Sequence, residues 1–150
     1  MEQYFMEQAL LQSNKARSID EVPIGALIVK DNKIIATAYN KKEKKKDPLG
    51  HAELISIKKA CKKLKSWRLN GCSIYVTLEP CSMCLSAIIQ ARIDNVYFGA
   101  SDPKSGACGG LFNLLDQKGF NHYPNIKNLK IDACSTILKD YFKSKRNNSK

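Results

Sequence analysis

The stretch Gly71-Cys72-Ser73-Ile74-Tyr75-Val76-Thr77-Leu78-Glu79-Pro80-Cys81-Ser82-Met83-Cys84 decides the fold. Its first nine residues, dense in β-branched and aromatic side chains, read as a strand. Pro80 ends it, and apolar Leu85, Ile88, Ile89 and Ala91 then recur at helical spacing. A strand therefore feeds a helix. Pro80 fits the first helical turn, where a missing N–H costs nothing, so Cys81 and Cys84 are expected one turn apart on one helix face. The free amides and dipole of a helix N-terminus favour thiolate there.

Upstream, His51-Ala52-Glu53 opens a second predicted helix, His51 to Leu64. Its apolar positions Leu54, Ile55, Ile57, Ala60, Cys61 and Leu64 stand against lysines at 58, 59, 62 and 63. Two helix N-termini then converge on one point. One imidazole and two thiolates close three corners of a zinc tetrahedron and leave the fourth for water; structural sites usually fill all four. Cys-x-x-Cys alone is shared with dithiol redox pairs and structural zinc folds. Joined to His-x-Glu, it points to metal-activated hydrolysis. His51 and Glu53 lie about 200° apart around a helix and cannot both face one ion, so His51 is read as the ligand and Glu53 as the acid/base.

Outward from these motifs, helices are expected over Glu2 to Arg17, Cys81 to Arg92, Leu111 to Leu115 and Asp132 to Lys145. Strands are expected over Gly25 to Lys30, Ile34 to Tyr39, Ser73 to Leu78 and Asn95 to Phe98, the first two around the turn Asp31-Asn32-Lys33. Ser101 to Gly110 and the lysine run 41–46 read as loops, and Phe120 to Lys130 as irregular. The alternation after the hairpin implies a mixed sheet with helices on both faces. The 150 residues, 43% hydrophobic, suit one domain, 1–150, and no repeat or composition break divides them. No apolar stretch approaches a membrane span and the N-terminus lacks an export pattern, so a cytoplasmic location without membrane contact is expected. Six cysteines are read as reduced thiols, with Cys81 and Cys84 reserved for metal.

A net charge of +11 favours a polyanionic partner. The sequence also uses lysine freely everywhere, so a basic surface alone does not exclude a small-molecule substrate. Lysines 41, 42, 44, 45 and 46 precede the metal helix, and Lys139, Lys143, Lys145, Arg146 and Lys150 load the last helix and tail. Both clusters are candidates for holding an RNA backbone.

Further blocks complete the pattern: Glu21-Val22-Pro23-Ile24-Gly25-Ala26, Asn40 before Asp47-Pro48, Ala91-Arg92-Ile93, Val96-Tyr97-Phe98-Gly99-Ala100, Asp102-Pro103-Lys104-Ser105-Gly106, Asn121-His122 and Asp140-Tyr141-Phe142. Over nearly its whole length the chain resembles the zinc-dependent cytidine deaminase-like superfamily and, within it, the bacterial tRNA-specific adenosine deaminases. Leu49-Gly50 before His51 departs from the small residues common there, without removing a functional side chain. The resemblance implies an α/β fold of three layers, α/β/α, around a central five-stranded mixed sheet. It implies hydrolytic deamination of adenosine to inosine at the wobble position of a tRNA anticodon stem-loop, for which this family is itself a standard instance of base flipping. One Zn²⁺ per chain would be held by His51, Cys81 and Cys84, with Glu53 moving protons. Asn40 and the Ala52 backbone N–H would hydrogen-bond the base, and a carbonyl near Leu78 or Glu79 would receive the departing amine. Asp102 would lie beside the ribose of the preceding nucleotide, with Asn121, Tyr141 and Phe142 as further RNA contacts. A homodimer is implied, paired through the segment holding Gly109-Gly110-Leu111-Phe112.

Residue types alone leave alternatives open. Asn40 also suits an Asx turn, Asp102 a turn cap, Asn121 a stabiliser of its irregular segment, and Tyr141 and Phe142 a core. Two other functions fit the motifs: a free nucleobase or nucleoside deaminase acting on guanine or cytosine, and a non-catalytic RNA-binding module with structural zinc. The second requires a fourth ligand from Cys72, Cys108, Cys134 or His122.

Overall fold

The computed structural model describes residues 1–148, so Lys150 of the C-terminal basic cluster lies outside the described residues. Five strands, β1 (Gly25–Lys30), β2 (Lys33–Tyr39), β3 (Cys72–Leu78), β4 (Asn95–Ala100) and β5 (Asn125–Asn128), form one sheet in the order β2-β1-β3-β4-β5. β1 pairs antiparallel with both β2 and β3, whereas β3–β4 and β4–β5 are parallel, so the sheet is mixed. The helices are α1 (Glu2–Ser18), α2 (Lys42–Lys45), α3 (Ala52–Leu64), α4 (Ser82–Gln90) and α5 (Asp132–Asn148).

Parallel β3 and β4 need a crossover, and α4 supplies it. Alternate residues of the central strands face opposite layers. Ile28, Ile74 and Val96 pack against Ile57 and Ala60 of α3 and Leu85, Ile88 and Ile89 of α4. Leu27, Val29 and Tyr75 pack on the other side against Phe5, Met6 and Ala9 of α1, with Cys134 of α5 in the same cluster. The expected three-layer α/β/α arrangement is therefore observed.

Four local expectations are corrected. Asn125–Asn128, inside the segment read as irregular, is edge strand β5, paired to Asn95–Phe98. Its sequence NIKN offers a single apolar residue, and backbone pairing rather than side-chain alternation makes it a strand. Leu111 to Leu115 is not a helix; one 3₁₀ turn occurs at Leu114–Asp116, capped by Asn113, whose side chain accepts from Leu115 N. The lysine run is not wholly a loop, because Lys42–Lys45 forms α2. Pro80 lies before the N-cap of α4 rather than in its first turn, since α4 begins at Ser82.

The cause of α2 is a buried carboxylate. Glu21, 2% exposed, accepts from Glu43 N at 3.0 Å and from Lys44 N. An anion at free helix amides offsets the mutual repulsion of the lysines that follow. Glu21→Gln should lower stability by about 1–3 kcal/mol, because one amide must face an NH₂ group. Denaturant unfolding measures the loss, and hydrogen exchange at Glu43 and Lys44 should accelerate more than exchange in β1 or β3.

Candidate metal centre

His51 and Cys81 are both N-cap residues in extended conformation, at φ −79°, ψ 142° and φ −75°, ψ 175°. Each therefore precedes its helix, and Cys84 follows on the first turn of α4. The bend at these caps brings together residues that ideal helix spacing would separate. The ligand atoms of His51, Cys81 and Cys84 lie within 4.8 Å of one another and form a group that could hold a metal ion. His51 Nδ1 stands 3.9 Å from Cys81 Sγ and 3.5 Å from Cys84 Sγ. Zinc–nitrogen and zinc–sulfur bonds at a tetrahedral angle put those atoms about 3.6 Å apart, so the donor set fits zinc. Cys72, Cys108, Cys134 and His122 do not join the group among the described residues. His122 Nε2 instead lies 2.6 Å from the Ile93 carbonyl oxygen.

Without a cation the thiols share a proton. Cys81 is drawn down to about 4, chiefly by the hydrogen bond it accepts from Cys84 and further by His51. Donating that bond, together with burial, drives Cys84 upward. His51 is raised first by its hydrogen bond with Cys81. Glu53 is 4% exposed, and its Oε1 has no hydrogen-bond partner. Burial pushes its carboxyl up from 4.5 to about 7. A buried carboxyl with an orphaned oxygen beside a three-donor group suits proton transfer to a molecule placed there.

A cavity of about 560 Å³ opens above this group, lined by His51, Glu53 and Cys81. Asn40 lines it as well. Asn40 and Ala52 are joined directly here: Asn40 Oδ1 accepts from Ala52 N at 2.8 Å. The bond fixes which way the Asn40 NH₂ points, and both NH₂ hydrogens remain for a ligand. Asp102 also lines the cavity, while its carboxylate caps a turn, accepting from Lys104 N at 3.0 Å and from Ser105 Oγ at 3.1 Å. Phe142, 45% exposed, reaches the cavity. Tyr141 does not: it is buried, and its hydroxyl donates to Asp20 O at 3.2 Å, so it packs α5 onto the turn after α1. Asn121 is exposed and does not line the cavity of its own chain.

Sequence reasoning missed the apolar wall of Val22, Ile24 and Leu138 and the buried carboxylate of Glu79. Glu79 accepts from Asp102 N at 2.9 Å, Cys108 N at 2.8 Å and Gly110 N at 2.9 Å. A Cβ on Gly106 would lie 2.3 Å from the Glu79 carboxyl carbon, and one on Gly110 2.6 Å from its Oε1. The glycines let the loop wrap the carboxylate, and the wrapped loop presents Asp102 to the cavity. An acid ending an apolar strand just before Pro80, with a glycine-rich segment further on, was the available signal.

The MafB19-like deaminase family model matches residues 1–146. The tRNA-specific adenosine deaminase of Aquifex aeolicus (strain VF5) is 43% identical over 146 residues, which cover 97% of this chain and 97% of the relative. A structure solved in work on A-to-I editing by tRNA:A34 deaminases at the wobble position superposes with a TM-score of 0.86 at 41% identity, covering 91% of this chain and 99% of that one. Guanine deaminase from Bacillus subtilis superposes with a TM-score of 0.66 at 30% identity, over 97% of this chain and 93% of that one.

Two outcomes are expected. Cys81→Ser and Cys84→Ser should each lose bound metal, because a neutral hydroxyl replaces a thiolate poorly, whereas Glu53→Gln should retain it; elemental analysis of the purified variants reads the difference. In chelator-treated protein, Glu53 holds its proton in the fold over a pH range where the unfolded chain has released it. Its ionisation therefore costs stability as pH rises from 4.5 to about 7. The stability of Glu53→Gln relative to wild type should grow across that window and level off above it, as urea unfolding at stepped pH would record.

Proposed function

The chain belongs to the MafB19-like deaminases, and from that membership we propose that it converts adenosine to inosine at the wobble position of a tRNA anticodon stem-loop. One observation carries the reading: Glu53, buried and with Oε1 unpartnered, lies beside three metal-ligand atoms at the floor of a cavity that opens to the surface. The likeness to a tRNA-specific adenosine deaminase over 97% of both chains supports the substrate.

We assign one Zn²⁺ per chain to His51, Cys81 and Cys84. When bound there, zinc supplies the Lewis acidity that brings a water's pKa toward about 7. Glu53 would accept one proton of the water that adds to C6 and pass it to N1 of the purine, then carry the second, from the new C6 hydroxyl, to the amine as the C6–N bond breaks. Its raised proton affinity lets one carboxyl serve as base and then as acid. Asn40, held by Ala52 N–H, directs its NH₂ at an acceptor on the base. Val22, Ile24 and Leu138 provide the apolar surface for a purine extruded from its stack. Asp102 faces the ribose preceding the target, Phe142 offers a ring against a neighbouring base, and Asn121 contacts RNA only from outside this cavity.

The whole described chain acts as a single deaminase domain. It works in the cytoplasm, where tRNA is processed; no helix among the described residues is long and apolar enough to cross a membrane. It pairs with a second copy through the segment holding Leu111 and Phe112, which are 59% and 43% exposed. The guanine deaminase likeness keeps a free base as the second substrate class. Salt separates the two, since a polyanion's affinity falls steeply with salt and a neutral base's does not.

Incubation of the zinc-loaded protein with total bacterial tRNA should produce inosine in tRNA, with no ammonia from free guanine or cytosine. Glu53→Gln should lower turnover by several orders of magnitude while leaving tRNA binding intact. Ammonia from free bases with unmodified tRNA would assign the second substrate class instead.

A further inference from the structure

A cationic face runs along α3 and past its C-terminal end. Between residues 58 and 68 the chain carries Lys58, Lys59, Lys62, Lys63, Lys65 and Arg68, and no acid. All six are exposed. The four lysines within α3 fall in an arc of about 140°, a single helix face. Beyond the C-cap Lys65, Trp67 is 57% exposed, with the Arg68 and Arg92 guanidinium groups 4.7 Å and 5.7 Å from its ring centroid. Arg92 is fixed there by bonds to the Ile89 and Gln90 carbonyls at 3.0 Å and 3.2 Å. Among the described residues, ion pairs join Lys127 to Glu2 and Lys145 to Asp20, and neither neutralises this face.

Helix dipoles explain part of the charge, since cations at the ends of α3 and α4 compensate free carbonyls. They do not explain an indole left in water between two guanidinium groups. An exposed aromatic ring among cations is the composition that binds single-stranded nucleic acid, by stacking and by phosphate contact. Cations also lie between the cavity and the start of this face. Lys42 lines the mouth, Lys41 follows over the Tyr39 ring at 4.9 Å, and Lys59 lies beyond them, its Nζ donating to Thr37 O at 2.8 Å. Lys63 follows one turn further along α3, whose far end lies about 20 Å from its start.

Resting on the deaminase reading above, we propose that this face is a second RNA-contact surface, which holds the sugar–phosphate backbone of the same RNA whose target base enters the cavity, with Trp67 packing against an unpaired base or sugar. It contributes affinity and orientation at a distance from the chemistry. Its partner is recognised by spaced negative charge together with an exposed ring face, which an acidic protein segment offers only in part.

Trp67 is the single tryptophan of the chain, so its fluorescence reports on this face alone. Titrating total tRNA into the zinc-loaded protein should quench that fluorescence saturably, with an affinity that falls as salt rises. The triple variant Lys62→Gln, Lys65→Gln, Arg68→Gln should raise Kd and KM on the order of tenfold, leave kcat unchanged and flatten the log–log salt slope by about 2, at roughly 0.7 per lost phosphate contact. Trp67→Leu should raise KM with little effect on that slope. If tRNA is deaminated while the fluorescence stays constant and the triple variant keeps wild-type KM and slope, the proposal is overturned. Quenching by polyglutamate with no change in KM assigns an acidic protein partner and also overturns it, as does fluorescence that follows protein concentration and ignores RNA. Quenching by tRNA with a weakened triple variant but no inosine would leave this surface standing and remove the deaminase reading.

Discussion

Everything at the site depends on two helices starting at one point. α3 and α4 pack side by side on one face of the sheet, and their caps place His51 and Cys81 in extended backbone where the two N-termini meet. Three ligand atoms within 4.8 Å follow from that geometry. The hydrogen bond from Cys84 to Cys81 moves the two thiols in opposite directions, Cys81 down to about 4 and Cys84 upward. A divalent ion would draw both thiols to thiolate and link metal binding to stability.

Around this centre, three buried side chains convert backbone into a binding surface. Glu79 gathers the loop of Asp102, Glu21 anchors the lysine-bearing α2, and Asn40 clamps the first amide of α3. Each sits within hydrogen-bond distance of N–H groups that secondary structure leaves unpaired, so burial of the polar atom is compensated. Glu53 is the exception, buried with Oε1 left without a partner. Among otherwise satisfied polar groups, that contrast locates the reacting position. The cavity lining joins the ligand residues to the apolar Val22, Ile24 and Leu138.

Much of this was legible in the sequence where periodicity and motif agree. β3 was readable from Ser73 to Leu78 because Ile74, Val76 and Thr77 are β-branched around the aromatic Tyr75, and α3 from its apolar stripe. His51, Cys81 and Cys84 were readable as a set from spacing and residue type. Other features depend on partners far along the chain. β5 is a polar tetrapeptide that becomes a strand only by pairing with β4, and α2 forms where Glu21 receives its amides. The place of Asn40 was half legible: residue type alone suited an Asx turn and a ligand contact came only from the family resemblance, while its bond to Ala52 N depends on how the end of β2 meets the start of α3. Tyr141 and Phe142 show the same limit. Adjacent aromatics on one helix point in different directions, and only packing separates the buried Tyr141 from the cavity-facing Phe142.

The central claim is a three-ligand zinc site with one position left for water, worked by a carboxyl that does not bind the metal. X-ray absorption at the zinc edge of the purified protein tests it most directly. Two sulfurs at about 2.3 Å, one imidazole nitrogen at about 2.0 Å and one further light scatterer at a similar distance are expected, unchanged in Glu53→Gln. A third sulfur or a second imidazole would make the site structural and closed. Loss of the light scatterer in Glu53→Gln would make Glu53 a ligand, and either result would contradict the account.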